Sequence, residues 1–405
     1  MAMSRRVTTI LVDGGGAVLG ALPPFDVVSP WWPEVGELVA MARERYGVAV
    51  TVLRLVASER PAPPGGAVSY LAQVDGPPAV RVPLSPATVD LCPHPLRAPY
   101  AQPGGPDASL RWAADELRRL GHDAPVAVAQ RKTWNLSGIW QLDIAGRGDT
   151  APTTVWLKHL PRFLRQETAV LAWLTASLRG SAPTLLAADG EGRQLLAHTP
   201  GEDRFSAPVE DRYAMVALLH TIQLRAVDAV EDLIAAGVPD LRDALLADRI
   251  RAVAAHYGEG VVGLRTLLDG LDVRLAAVRR CGLPDTLVHE DFHPGNVRNL
   301  PGGRCPPVIL DWGDAFIGNP GFDALRMVDD LDAALARPLL DAWQQQWRTS
   351  VPGSDPATAL NLLRPVAPLL HAVVYANFLA NIEPSEHPYH AADVPNCLNA
   401  AVRMA

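Results

Sequence analysis

Near the start of the chain, apolar residues alternate over short runs. Val7 to Val12 is β-branched and apolar, Gly14, Gly15 and Gly16 read as a turn, and Ala17 to Leu22 reads as a returning hairpin strand. The period then changes. From Val35 to Tyr46 the apolar residues Val35, Leu38, Val39 and Ala42 recur at helical spacing, with Pro33 ahead of the first turn and Gly47 as a stop. Val48 to Val56 and Ala67 to Val74 return to strand character on either side of a Pro/Gly loop, Pro61 to Gly66. Together these elements predict a small α/β domain over residues 1–92.

A Pro/Gly-rich stretch, 93–106, reads as an exposed linker. Ser109 to Leu120 then has helical periodicity and stops at Gly121. Strand-like runs follow at Val126 to Gln130, Ile139 to Ile144 and Thr154 to Leu157, and a long helix is predicted from Phe163 to Leu178. Beyond Pro200 and Gly201 the pattern is largely helical. This divides the rest of the chain into a β-rich part, 107–199, and a mostly helical part, 200–405.

Composition narrows the class. A chain of 405 residues holds roughly two or three domains, and 48% hydrophobic residues argue against disorder. The formal charge of −8, without a cluster of Lys and Arg, argues against nucleic acid or an anionic membrane as partner. No apolar run approaches the ~20 residues of a membrane span, and Asp13 with the glycines interrupts what would be a signal peptide. Cys92, Cys281, Cys305 and Cys397 are scattered and read as reduced thiols of a cytoplasmic protein. Only two of the 36 basic residues are lysines, Lys132 and Lys158, which makes each worth questioning.

The chemistry-bearing segment is Leu287-Val288-His289-Glu290-Asp291-Phe292-His293-Pro294-Gly295-Asn296, followed by Val308-Ile309-Leu310-Asp311-Trp312-Gly313-Asp314. Its His-x-Asp-x4-Asn would occur by chance about once in 8,000 positions, and Asp311 follows Asn296 by 15 residues at the end of an apolar strand. Phosphoryl transfer needs a positioned hydroxyl and hard oxygen ligands for Mg²⁺. Asp291 suits the first task, and Asn296 with Asp311 suits the second.

These residues resemble the aminoglycoside phosphotransferase and choline kinase branch of the protein-kinase-like fold, whose catalytic loop commonly reads His-Gly-Asp-x-His-Pro-x-Asn. The resemblance implies an α+β, two-lobed domain with a small β-rich N-lobe and a mostly helical C-lobe. It implies Asp291 as catalytic base, His289 as the residue that holds its loop, Asn296 and Asp311 as ligands to Mg²⁺, and Asp323 as a brace beneath the loop. This chain departs from the family at Glu290 and Asp314. The same resemblance implies Lys158, on a strand, on the α- and β-phosphates of ATP or GTP, with Glu167 on the next helix fixing its ammonium. A compact ammonium fits between phosphate oxygens and a carboxylate where a planar guanidinium would not. Asn135 and Ser137 occupy the place of a nucleotide-covering loop, and Ala197 and Thr199 that of the hinge whose backbone meets adenine. Lys132 and His293 read more simply as a solvated loop lysine and a packed or capping histidine. Most tryptophans read as core or interface residues, Trp31 and Trp32 among them.

Arg43-Glu44-Arg45-Tyr46-Gly47 resembles the helix of a degenerate Nudix hydrolase, with only Glu44 of the metal-binding glutamates in place and Met41 and Arg45 at two other positions. The leading expectation is an ATP- and Mg²⁺-dependent kinase acting on a hydroxyl of an aminoglycoside-like, nucleoside-like or sugar acceptor, with antibiotic resistance or self-protection as one setting. The acids Asp329, Asp330, Asp332, Glu383, Glu386 and Asp393 suggest a wall attractive to a cationic acceptor, or a solvated acidic face. A nucleotide-binding regulatory pseudokinase and a Nudix-type hydrolase acting through the first domain are the alternatives. Oligomeric state is left open.

Overall fold

The β-branched run that opens the chain becomes strand β1 (Arg5–Val12), paired antiparallel with β2 (Val18–Ala21) and β3 (Phe25–Val27). These belong to a computed structural model describing residues 4–74, 82–146, 152–299 and 306–405, so Cys305 lies outside the described residues. Helix α1 (Gly36–Tyr46) follows and ends at Gly47, whose φ of 65° gives the left-handed turn that glycine adopts without strain. Strands β4 (Val50–Ser58) and β5 (Gly66–Val74) complete a sheet of order β2, β1, β5, β4, in which β1 and β5 run parallel. Alternation along β1 sends Val7 and Leu11 into one core with Trp32, Leu38 and Tyr70, and Ile10 and Val12 into another with Leu53 and Leu71. Arg5 is fully buried in the first, donating to the carbonyl of Trp32 at 2.9 Å and to the Tyr70 hydroxyl at 2.7 Å.

The chain forms two units. One comprises Met1–Leu164, Leu186–His198 and Phe378–Ala392. Its second sheet contains β6 (Ala127–Trp134), β7 (Ser137–Ile144), β8 (Thr153–His159), β9 (Leu185–Ala188) and β10 (Arg193–Ala197), in the order β6, β7, β8, β10, β9. Helix α2 (Gly105–Arg119) sends Ala113 and Leu117 into a core with Trp140, Leu142, Leu157 and Leu195. The Pro/Gly stretch expected as an exposed linker is packed in part, because Tyr100 and Ala101 enter that same core.

The two sheets of this unit are clasped together. The Gln130 amide accepts from the Val52 N–H at 2.8 Å and donates to the Val52 carbonyl at 2.7 Å, so a side chain satisfies edge strand β4 as a neighbouring strand would. The amides of Thr133 and Val35 reach the carbonyls of Pro33 and Arg131. The backbones of Lys132 and Glu34 form an isolated antiparallel β-bridge within this seam. The returning segment 378–392 supplies Glu383, held by Arg97 through two bonds of 2.9 and 2.7 Å, and Tyr389, whose ring meets Trp32 and Trp134 edge-on. Trp31, expected in a core or interface, is 52% exposed, while Trp32 is fully buried.

The other unit comprises Arg165–Leu185, Thr199–Asn377 and Asp393–Ala405. It is mostly helical, with α3 (Gln166–Ser177), α4 (Asp211–Val227), α5 (Val230–Ala235), α6 (Asp243–Tyr257), α7 (Leu264–Asp269) and α8 (Leu271–Arg280) before the motif. After it come α9 (Gly321–Met327), α10 (Ala333–Ser350), α11 (Pro356–Leu363), α12 (Ala367–Asn381) and α13 (Asp393–Arg403). Short strands β12 (Thr286–Val288) and β15 (Phe316–Gly318) pair antiparallel, and β13 (Val297–Asn299) pairs with β11 (Glu202–Asp203) and β14 (Val308–Ile309). Among the described residues no single helix is long and apolar enough to cross a membrane; α11 and α12 meet the length and composition only as a pair bent by 54°.

Candidate active site

The loop after β12 is held from below by one carboxylate. Asp323, fully buried in the first turn of α9, accepts the backbone N–H of His289 and of Glu290, each at 2.9 Å, and the Gln223 amide at 2.8 Å. Burial pushes the Asp323 carboxyl up to about 7, against the pull of those three donors. The His289 ring is fully buried and its Nε2 lies 2.7 Å from the Leu310 carbonyl, while burial lowers its pKa. A neutral ring donating from Nε2 ties the loop to the residue before Asp311. The Leu310 amide in turn donates to the Asn296 carbonyl at 2.7 Å, which brings the backbone of Asp311 beside Asn296.

Asp291 is gripped on both oxygens. Arg326 donates to Oδ1 from Nε at 3.1 Å and from Nη2 at 2.8 Å, and the Asn296 amide donates to Oδ2 at 3.0 Å and to the Asp291 carbonyl at 2.9 Å. His293 accepts the Gly295 N–H on Nδ1, so its proton sits on Nε2, 3.4 Å from Asp291 Oδ2. Burial would raise the Asp291 pKa, but the His293 bond and the Arg326 charge outweigh it and hold the carboxyl well below its usual range. The side chain remains 37% exposed, open to a reacting group.

Arg326 carries no signal in the local sequence. It lies three residues after Asp323, so one turn of α9 braces the loop backbone with one residue and grips the Asp291 carboxylate with the other. The departure at Glu290 also has a structural correlate. Its φ of 76° and the φ of 57° at Asp311 are left-handed conformations that cost a non-glycine residue about 1–2 kcal/mol. The Glu290 carboxyl is buried, 3.6 Å from His371 Nε2, and burial followed by Asp314 and Asp291 pushes it well above the carboxylate range. The loop therefore presents a neutral acid next to a permanent anion.

The donor set fits magnesium. Because the Asn296 Nδ2 is committed to Asp291, its Oδ1 remains as an acceptor, and the Leu310 bonds bring Asp311 alongside. Among the described residues no three His, Cys, Asp or Glu side chains form a metal cluster. One carboxylate with one amide oxygen suits an ion that keeps waters and takes its other ligands from phosphates. Glu44, the Nudix-like residue of the other unit, is exposed, and nearby Glu37 is occupied accepting the amides of Val28 and Ser29.

In the first unit, Lys158 is buried on β8, with Ile139 of β7 and Gln194 of β10 opposite it on the two sides. Glu167 is buried in the first turn of α3 in the second unit. Ala197 ends β10, and Thr199 follows at the start of the connection to the second unit. The segment between the two expected strands, Arg131 to Gly138, where a nucleotide-covering loop is expected, narrows to a two-residue hairpin turn, Asn135-Leu136. Asn135 and Ser137 are buried there, and His390 lies 3.4 Å from the Asn135 Oδ1.

The acids that suggested a wall for a cation are mostly committed elsewhere. Asp330 receives both terminal nitrogens of Arg212 at 2.7 Å, Asp332 caps α10, and Glu383 binds Arg97. Glu386 is buried in the first unit, and burial followed by Glu383 pushes its carboxyl up to about 8.

A β-rich part followed by a helical part, with this aspartate loop, defines a phosphotransferase of protein-kinase-like fold. The chain belongs to the phosphotransferase enzyme family, whose model matches residues 149–359, just over half of it. Choline kinase LicA from Streptococcus pneumoniae superposes with a TM-score of 0.51 at 12% identity, covering 72% of this chain and 98% of that one. Macrolide 2'-phosphotransferase MphH from Brachybacterium faecium gives 0.48 at 20% identity, over 71% and 98%. No curated protein sequence matches.

Proposed function

We propose that this protein transfers the terminal phosphoryl group of ATP or GTP to a hydroxyl of a small molecule. The observation that carries the reading is the grip on Asp291. A carboxylate held by Arg326 and Asn296, yet partly open, can orient an incoming hydroxyl and receive its proton as transfer proceeds. His289 and Asp323 keep that loop in place. Asn296 and Asp311 would hold Mg²⁺, which when bound neutralises phosphate charge and aligns the phosphates. Lys158 would bind the α- and β-phosphates, Glu167 would fix its ammonium, and the backbone at Ala197 and Thr199 would meet the base. The backbone of the Asn135–Ser137 turn would lie over the phosphates. Nearly all of the catalysis in such a reaction is positioning and charge stabilisation, which is what these residues provide.

Aminoglycoside-like, nucleoside-like and sugar hydroxyls are the acceptor classes, with resistance or self-protection as a setting and the cytoplasm as the location. The described cysteines Cys92, Cys281 and Cys397 are free thiols, in keeping with that compartment. The test is a mass-spectrometric search for phosphorylated product across aminoglycosides, nucleosides, sugars and amino alcohols with Mg-ATP and Mg-GTP. Wild-type protein should give product and Asp291→Ala should lower the rate by about 10²–10⁴-fold. Undiminished transfer by that variant would remove Asp291 from the reaction.

A further inference from the structure

A second buried acid adjoins the base. Glu290, 6% exposed, precedes Asp291 in the chain, and its Oε1 lies 3.6 Å from Nε2 of His371 on α12. Around this pair, like charge faces like. The carboxyls of Asp314, after β14, of Asp291 and of Asp323 act on Glu290, while the Arg326 guanidinium acts on the His371 ring. Asp329 and Asp291 pull the ring the other way, each more weakly than Arg326. Tyr375 of α12 and Cys397 of α13 share the field of Glu290 and bring no positive charge to it.

One proton is held between the two side chains, in either of two ways. Glutamate with imidazolium would set an anion beside other carboxylates and a cation beside Arg326. A neutral acid with a neutral ring avoids both conflicts, and burial favours it again because desolvation penalises charge. Accordingly, burial followed by Asp314 and Asp291 pushes Glu290 well above the carboxylate range, and burial followed by Arg326 lowers His371 to about 4. Arg326 is the group that the outcome affects. Its Nε and Nη2 both donate to Asp291 Oδ1, at 3.1 and 2.8 Å, and its charge also acts on Glu290. An anion at Glu290 would compete for the guanidinium that orients the base, and would add negative charge where a phosphoryl group arrives.

Resting on the phosphotransfer reading above, we infer that Glu290 is a positioning residue that works as an uncharged acid: protonated and packed against His371, it leaves Arg326 wholly to Asp291. Ionisation of Glu290 divides Arg326 between two carboxylates and turns Asp291 out of line.

The test joins infrared spectroscopy to pH–rate profiles of the full-length protein. Near neutral pH, the wild-type spectrum minus that of Glu290→Gln should show the carbonyl stretch of a protonated carboxyl. Rates are measured with Mg-ATP and Mg-GTP as donors and with water, aminoglycosides, nucleosides, sugars and amino alcohols as acceptors. The wild-type kcat should decline at high pH, as Glu290 ionises. Glu290→Ala should lower the plateau about tenfold. Glu290→Gln, neutral at every pH, should recover most of that loss and move the alkaline decline to higher pH or abolish it. Circular dichroism identifies a variant that fails to fold, and Glu290→Met, uncharged and of similar length, then takes the place of the glutamine. No protonated band, or a folded Glu290→Gln that is inactive at every pH, would overturn the inference. So would transfer with the same alkaline decline in wild type and Glu290→Gln, a result that leaves the kinase reading standing. A protonated band with no transfer to any acceptor removes the kinase reading, and the positioning role goes with it.

Discussion

A histidine and a guanidinium together set the state of the Asp291 carboxylate. Asp291 faces opposing influences, burial against the His293 bond and the Arg326 charge, and the latter pair prevails. Removing Arg326 removes one of them, so Arg326→Ala should raise the Asp291 pKa toward the ordinary value of about 4. A base works only when deprotonated, so the acidic limb of the kcat profile should move to higher pH in this variant. The rate on the plateau should also fall about tenfold to a hundredfold as the carboxylate loses its orientation. A pH–rate profile checks both, and an unmoved limb would show that Arg326 does not act through Asp291. The His, Asp and Asn of the loop were legible because their spacing is local. Arg326 was not, because nothing in a lone arginine past Gly321-Phe322-Asp323 says which carboxylate it will meet. Glu290 shows a different limit: its departure from the family was visible, but its positive φ and neutral burial belong to the folded loop alone.

At the scale of elements, periodicity located the long pieces well. α1, α2, β5, β7 and β8 lie where alternation and helical spacing put them, and Gly47 stops α1 for the expected reason. The boundaries missed where tertiary hydrogen bonds extend a strand. β6 runs on to Trp134 because β7 pairs with it to the end and the segment 33–35 bonds its other edge, so a predicted eight-residue loop shrank to a two-residue turn. β3 and β9 were too short to carry a period. The Gln130 clasp depends on one amide satisfying both groups of Val52. In Gln130→Ala both of those groups lose their partner in a dry environment, at about 1–3 kcal/mol for each. A lowered urea midpoint with an unchanged slope is the expected result; an unchanged midpoint would mean water replaces the amide without loss.

For the whole molecule, titration of one buried acid offers a test of how the first unit is held. Glu386 has a folded pKa of about 8 against an ordinary 4.5, so the folded chain keeps a proton that the unfolded chain releases. The stabilisation is complete below about 4.5 and is lost as pH rises to about 8. Stability of the wild type should therefore decline between pH 5 and 8, and Glu386→Gln should flatten that decline by being relatively more stable at pH 8. Urea titrations at the two pH values check this, and parallel declines would exclude Glu386 as the source. The segment that carries Glu386 also bears on how the molecule is made. Arg97 meets Glu383 across 286 residues of chain, and Tyr389 covers Trp32 and Trp134, both made far earlier. A ribosome must thus make the chain as far as residues 378–392 before the first unit can be finished. Until then the faces of Trp32 and Trp134 that Tyr389 covers wait open, the kind of transiently exposed apolar surface that makes a nascent chain prone to aggregate.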